Sequence, residues 1–220
     1  MSSRWRERTV ANQRRGVVTV FVVVEGPDGV GKSTVVSALA ELFALRTQHE
    51  VLVTTEPTGS GLGVLLRNAG GDVVGRGLAL AIAADRWMHL ENEILPALER
   101  GVVVISNRYV QSSLVLQRID GLSLDDIWRY NDFAMAPDLS VYLEQESAVV
   151  ADRLASRATK SRMEVASTPQ QQANYYRDAE VFLEARGWRQ LRIECRDRSP
   201  EELAGLILDA VDGIHADAYK

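Results

Sequence analysis

Residues 18–36, VTVFVVVEGPDGVGKSTVV, constrain this chain more than any other stretch. Positions 20–24 are an apolar, β-branched run with Phe21 inside it, the pattern of a parallel strand buried on both faces. The run leads directly into Gly26-Pro27-Asp28-Gly29-Val30-Gly31-Lys32-Ser33, a complete G-x-x-x-x-G-K-[ST] sequence. Thr34 then opens a helix with Ala38, Leu39, Leu42 and Phe43 on its apolar face. Strand, glycine loop and helix, in that order, let backbone N–H groups surround phosphate oxygens at a helix N-terminus. Gly26, Gly29 and Gly31 permit the backbone angles, Lys32 brings a charge to the β/γ-phosphates, and the Ser33 hydroxyl is placed to ligate Mg²⁺. With Thr34, these residues form the expected phosphate site. The alternative, a glycine turn with no ligand, does not need the complete motif. The stretch predicts a nucleoside triphosphate site.

A chain of 220 residues can bury the core of one α/β domain and is short for two. The net charge of −5 supplies no global basic field for nucleic acid, so an anion must be gripped locally. One cysteine, Cys195, cannot form an intramolecular disulfide and fits a reducing cytoplasm. No apolar stretch reaches the length of a membrane span. Residues 1–16 are Arg-rich without an apolar segment, which reads as a flexible basic arm rather than a secretory signal. Residues 17–220 are expected to form a single domain.

Further apolar runs at 51–54, 102–105, 139–143 and 190–194 read as strands. Between them lie helical patterns at about 34–47, 62–67, 77–99, 112 onward, within 120–134, 148–158, 171–186 and 200–212. Pro96 predicts a kink or break near the end of the long 77–99 pattern, and residues 159–170 read as a polar, charged loop. Strands alternating with helices imply an α/β fold, a five-stranded parallel sheet with helices on both faces in three layers. Ligands of such sheets lie at the carboxyl ends of the strands. The remaining motifs fall at those ends.

The chain resembles the thymidylate kinase family of P-loop nucleoside monophosphate kinases over roughly residues 18–212. The likeness rests on Glu25 through Thr34, Glu56-Pro57 with Leu62-Gly63 and Arg67, and Ala84-Asp85-Arg86. It rests also on Ile94 through Leu98, Arg108-Tyr109 with Ser112-Ser113 and Gln117, and Pro137-Asp138-Leu139. The resemblance implies ATP and Mg²⁺ on the donor side, a nucleotide acceptor, a homodimer, and neither nucleic acid nor membrane as partner. It implies that Arg67, Arg86 and Arg108 surround the acceptor monophosphate, where guanidinium forks suit phosphate oxygens. Asp28 corresponds to a carboxylate near the acceptor sugar and phosphate, and Glu56 to an acid that holds Mg²⁺ or an arginine. Ser113 and Gln117 can pair with a base edge. The segment at about 153–170, with Arg153, Arg157, Lys160 and Arg162, corresponds to the lid over ATP. The phosphate loop carries no arginine, so the resemblance assigns the catalytic arginines to the lid, at Arg157 and Arg162.

Several positions depart from the family. Ile82 stands where an aromatic ring stacks on the base, and Leu116 where a tyrosine flanks the sugar. Asn107 replaces the acid of the Asp-Arg-Tyr motif, Thr55 an arginine, Thr58 a glycine and Ser161 an aspartate. Three readings follow. The first is phosphoryl transfer from ATP to thymidylate or a related pyrimidine-type monophosphate, giving the diphosphate. The second is a kinase of the same fold acting on a nucleoside 5′-hydroxyl or a modified nucleotide. The third is a nonenzymatic nucleotide-binding protein. Lys32 and Ser33 favour an enzyme, and the three acceptor-side arginines favour a phosphorylated acceptor.

Overall fold

Five short strands, β1 (Phe21–Glu25), β2 (Val51–Thr55), β3 (Val103–Asn107), β4 (Leu139–Glu144) and β5 (Gln190–Glu194), pair in parallel in the order β2-β3-β1-β4-β5. The computed structural model describes residues 20–47, 49–68, 73–155 and 165–218. Strand β1 lies in the middle, with Val22 opposite Ile105 of β3 on one side and Leu139 of β4 on the other. Its side chains alternate between two helical layers, so every one is apolar and buried until Glu25. Phe21 and Val23 pack with Val104 and Tyr142 against one layer; Val22 and Val24 pack with Ile105, Val141 and Leu143 against the other.

The second layer is α1 (Lys32–Thr47), through Val35, Leu39 and Phe43, with the closing helix, through Leu203, Ile207 and Val211. The first holds α3 (Gly75–His89), which follows the short α2 (Gly61–Asn68), and runs on into α4 (Leu95–Glu99). It also holds α5 (Val110–Ile119), α6 (Leu124–Asn131) and α8 (Pro169–Glu184), while α7 (Ser147–Ala155) precedes α8 and α9 (Pro200–Ala218) closes the chain. The sheet, its parallel pairing and its two covered faces are those expected.

Some element ends differ from expectation. Between α3 and α4 the chain does not break at Pro96 but widens into a π turn over Leu90–Ile94, where the Leu95 N–H bonds the Leu90 carbonyl. Pro96 then sits in the first turn of α4, where its missing N–H removes no helical bond. Helix α5 starts at Val110 rather than near Ser112, because its first N–H groups are met by a side chain from β1. Helix α8 starts at Pro169, inside the expected loop, under a Thr168–Gln171 capping box. Helix α9 passes Gly213 and runs to Ala218.

The strand order reverses about β1, and a crevice opens at such a reversal at the carboxyl ends of the strands. The glycine loop follows β1, Arg108 follows β3, and Glu56 follows β2, so three segments distant in sequence meet there.

Candidate active site

Gly26, Gly29 and Gly31 have φ values of 142°, 81° and 109°, so the loop between β1 and α1 is built from backbone that side-chain-bearing residues rarely adopt. A Cβ on Gly31 would meet nothing within 4 Å, so the loop presents bare backbone with room above it. Lys32 is 7% exposed, donates to the carbonyls of Gly26 and Pro27 at 2.8 Å each, and lies 3.8 Å from Asp28 Oδ1. The Ser33 hydroxyl accepts from Asn107 Nδ2 at 3.1 Å, which ties the start of α1 to the end of β3.

Beside this loop is a cavity of about 370 Å³. Asp28, Glu56, Arg67, Ile82, Arg86, Arg108, Ser113, Leu116 and Gln117 all line it, together with Thr55, Pro57, Tyr109 and Ser112. Every expected acceptor-side position therefore reaches one space. Ile82 and Leu116 give it two aliphatic walls, and the Gln117 Oε1 is buried without a hydrogen-bond partner among the described residues.

The three arginines are held differently. Arg86 is 1% exposed; its Nε donates to Glu56 Oε2 at 2.8 Å, and its Nη2 to the Tyr109 carbonyl at 3.0 Å and Ser113 Oγ at 2.9 Å. Its Nη1 donates to Asn131 of α6. Glu56 uses its other oxygen on His89 Nδ1 at 3.0 Å, and His89 Nε2 lies 2.8 Å from Thr54 Oγ1. Of the two roles expected for Glu56, metal ligand and partner of an arginine, the structure shows the second.

Arg67 is exposed and donates to the carbonyls of Pro57 and Thr58. Arg108 has φ 80°, rare for a residue with a Cβ, which turns its side chain back over the end of β1. There it pairs with Asp28 and donates to Ser112 Oγ at 3.1 Å and to the Tyr176 hydroxyl at 3.4 Å. Burial works against its charge, but Tyr176, Asp28 and Glu25 outweigh burial and raise its pKa.

A thymidylate kinase family model matches residues 24–187. A probable thymidylate kinase of Pyrococcus abyssi is 39% identical over 176 residues, 76% of this chain and 85% of that protein. The thymidylate kinase of Clavibacter sepedonicus is 41% identical over 154 residues, 66% of this chain and 72% of that protein.

The chain belongs to the thymidylate kinase family.

Within this thymidylate kinase fold, several residues that sequence reasoning left without a role brace the site. Glu25 is fully buried at the end of β1 and accepts from the Tyr109 N–H at 2.7 Å and the Ser112 N–H at 3.1 Å. Burial pushes its carboxyl up, against the pull of Arg108, the Ser112 hydroxyl, the Tyr109 N–H and Lys32. Asp85, beside Arg86, accepts from the Thr58 N–H at 2.7 Å, Thr58 Oγ1 at 2.6 Å and Ser60 Oγ at 3.0 Å. Thr58 thus supplies a hydroxyl bond that the family's glycine could not. The only local hint of Glu25 is an acid ending an apolar strand; Asn131 and Tyr176 gave none.

The donor side fits a Mg²⁺–nucleotide. Asn107 Oδ1 is buried beside Ser33 with no partner among the described residues, an oxygen suited to a hydrated cation. Arg157 and Arg162 lie outside the described residues, as do Lys160, Ser161 and the arm at 1–16. Arg153, on α7, donates to the carbonyls of Gly29 and Val30 at 3.3 and 3.4 Å, so this end of the expected lid touches the glycine loop.

Proposed function

We propose that the protein transfers the γ-phosphoryl group of ATP to the monophosphate of thymidylate or a closely related pyrimidine nucleotide. The observation that carries this reading is the convergence of Arg67, Arg86 and Arg108 on one cavity next to the glycine loop. Two polyanions must approach each other for such a transfer, and preorganised cations offset their repulsion and the charge of the transition state.

The glycine loop and Lys32 hold the β- and γ-phosphates, while Arg67 and Arg108 hold the acceptor phosphate in line with them. An acceptor phosphate oxygen forms a bond to the γ-phosphorus as the bond from that phosphorus to the β,γ-bridging oxygen breaks, and ADP leaves. Asp28, between Lys32 and Arg108, keeps both cations at the junction of the two sites. When ATP is bound, the Ser33 hydroxyl and the Asn107 side chain would hold its Mg²⁺, which would supply positive charge to offset that of the triphosphate. Arg157 and Arg162 belong to the same reading as charges that reach the transferring group from the lid. Ser113 and Gln117 meet the base edge, Arg86 buttresses that wall, and Ile82 and Leu116 cover the base and sugar.

Those aliphatic walls favour a nucleotide other than thymidylate as the best acceptor. An aromatic platform contributes about 0.5–1.5 kcal/mol beyond burial, and Ile82 stands in its place. The reading also includes a second copy of the chain as partner. Leu80, Trp87 and Met88 of α3 and Val64 and Leu65 of α2 are exposed on adjoining helices. No helix among the described residues is long and apolar enough to cross a membrane, and a cytoplasmic location accords with the lone cysteine.

The test is a panel of nucleosides and nucleoside monophosphates with ATP–Mg²⁺, scored for ADP and for phosphorylated product. Diphosphates from pyrimidine monophosphates, with no product from nucleosides, are expected. Phosphorylation of a nucleoside 5′-hydroxyl in preference to every monophosphate contradicts the reading.

A further inference from the structure

We propose that Glu25 is a positioning residue for the acceptor site: it orients Arg108 through the hydroxyls of Ser112 and Tyr176. This rests on the reading that Arg108 binds the acceptor phosphate.

Glu25 ends the central strand immediately before the glycine loop, and its carboxylate bonds residues at the start of α5 and on α8. One oxygen, Oε1, accepts from the N–H groups of Tyr109 and Ser112, the first turn of α5. These bonds fix the backbone on the C-terminal side of Arg108, whose own φ of 80° is unfavourable for a residue with a Cβ. Something must hold the chain in that bend, and the Glu25 carboxylate is bonded to the very next residue.

The other oxygen, Oε2, lies 2.8 Å from Ser112 Oγ and 3.3 Å from the Tyr176 hydroxyl. An ionised carboxylate can only accept, so both hydroxyl protons point at Glu25. Their lone pairs are then left to face Arg108, whose Nη1 lies 3.1 Å from Ser112 Oγ and 3.4 Å from the Tyr176 oxygen. The carboxylate thus sets the direction of two hydrogen bonds it does not share with Arg108, and its negative charge adds to the attraction. Asp28 holds the same guanidinium from the side of the glycine loop. Asp28 of the loop, Ser112 of α5 and Tyr176 of α8 thus hold the guanidinium in one orientation at the cavity wall, the last two aligned by Glu25.

A glutamine at position 25 keeps the shape but turns an N–H₂ group or a single acceptor toward the hydroxyls. The hydroxyl protons then lose their common acceptor and are free to turn toward Arg108. The effect is expected on the acceptor side, because both hydroxyls that Glu25 aligns face Arg108.

The experiment measures thymidylate binding by calorimetry, steady-state constants for both substrates, and melting temperature for the wild type, Glu25→Gln, Tyr176→Phe and Arg108→Ala. Arg108→Ala is expected to weaken thymidylate binding. Glu25→Gln is expected to weaken it about tenfold, the scale of one lost charge-assisted bond, while the KM for ATP stays within about twofold. Tyr176→Phe, which leaves Glu25 and its backbone bonds in place, is expected to weaken it about threefold. A variant carrying both Glu25→Gln and Tyr176→Phe, measured alongside, is expected to bind no worse than Glu25→Gln alone, because Tyr176 acts through the same carboxylate. If Arg108→Ala weakens binding but neither Glu25→Gln nor Tyr176→Phe does, the proposal is overturned and the acceptor reading stands. Parallel loss of thymidylate and ATP affinity with a lowered melting temperature also overturns it, since that is the mark of general packing. If Arg108→Ala leaves thymidylate binding unchanged, the assignment of Arg108 to the acceptor fails, and the proposal with it.

Discussion

Lys32 and Glu25 lie seven positions apart and show two ways in which a buried charge serves a site. Lys32 is held by two carbonyls of its own loop, at the start of α1. Its charge stabilises the phosphates most when charge moves between them. Lys32→Ala is therefore expected to lower kcat about a hundredfold or more, with the fold intact by circular dichroism. Near-normal turnover would contradict phosphoryl transfer at this loop. Glu25 carries a stability penalty. Burial raises its carboxyl above the value of 4.5 it has in the unfolded chain. Between those two values the native state holds a proton that the unfolded state has released, so this group's contribution is full below 4.5 and is lost as pH rises through the folded value. Glu25→Gln does not titrate. Its stability relative to the wild type is expected to rise with pH over that window, as urea midpoints at several pH values would record. A relative stability that falls instead would show the carboxylate to be stabilising.

The elements around the cavity owe their shape to bonds between segments that the sequence keeps apart. The segment after β2 is an example. Asp85 of α3 clamps Thr58 and Ser60, and Gly63 of α2 packs so closely on Thr58 that a Cβ there would run into its backbone. Arg67 hangs from the carbonyls of this same segment. Gly63→Ala is expected to destabilise the protein by about 1–3 kcal/mol and to raise the acceptor KM, since the backbone that carries Arg67 must shift. An unchanged melting temperature would show that the segment yields easily. The same contrast separates what was legible in the sequence from what was not. The strands were legible because each is an apolar run between turn formers, and the glycine loop because its residue types sit at fixed spacing. The start of α5 was not, because its cap is Glu25, more than eighty positions earlier. The π turn was not, because a widened turn keeps the apolar pattern of an ordinary helix. The role of Asp85 is hidden in plain view: Thr58, a departure from the family's glycine, offers the hydroxyl and N–H that Asp85 binds.

At the scale of the molecule, the parallel sheet brings the ends of β1, β2 and β3 to one rim, and there the expected acceptor positions share a cavity. That these positions form a set was legible only through family likeness. Arg67 and Arg86 lie on α2 and α3 and Arg108 in the turn after β3, and nothing in their spacing makes them neighbours. The walls of the cavity carry a prediction of their own. Ile82→Phe with Leu116→Tyr restores the ring and hydroxyl and is expected to shift the kcat/KM preference toward thymidylate by about 1–3 kcal/mol. Acceptor competition would record it, and no shift would mean that the aliphatic walls are neutral repacking.

The central claim is that the group leaving ATP arrives on a phosphate already held by arginines. Phosphorus NMR of the wild-type protein with ATP, Mg²⁺ and thymidylate follows every phosphorus atom in one sample. The expected result is loss of the ATP γ-signal and the thymidylate signal in step with equal gains of ADP and a pyrimidine nucleoside diphosphate. Conversion of ATP to ADP with inorganic phosphate as the sole other product, the thymidylate signal unchanged, would contradict the claim.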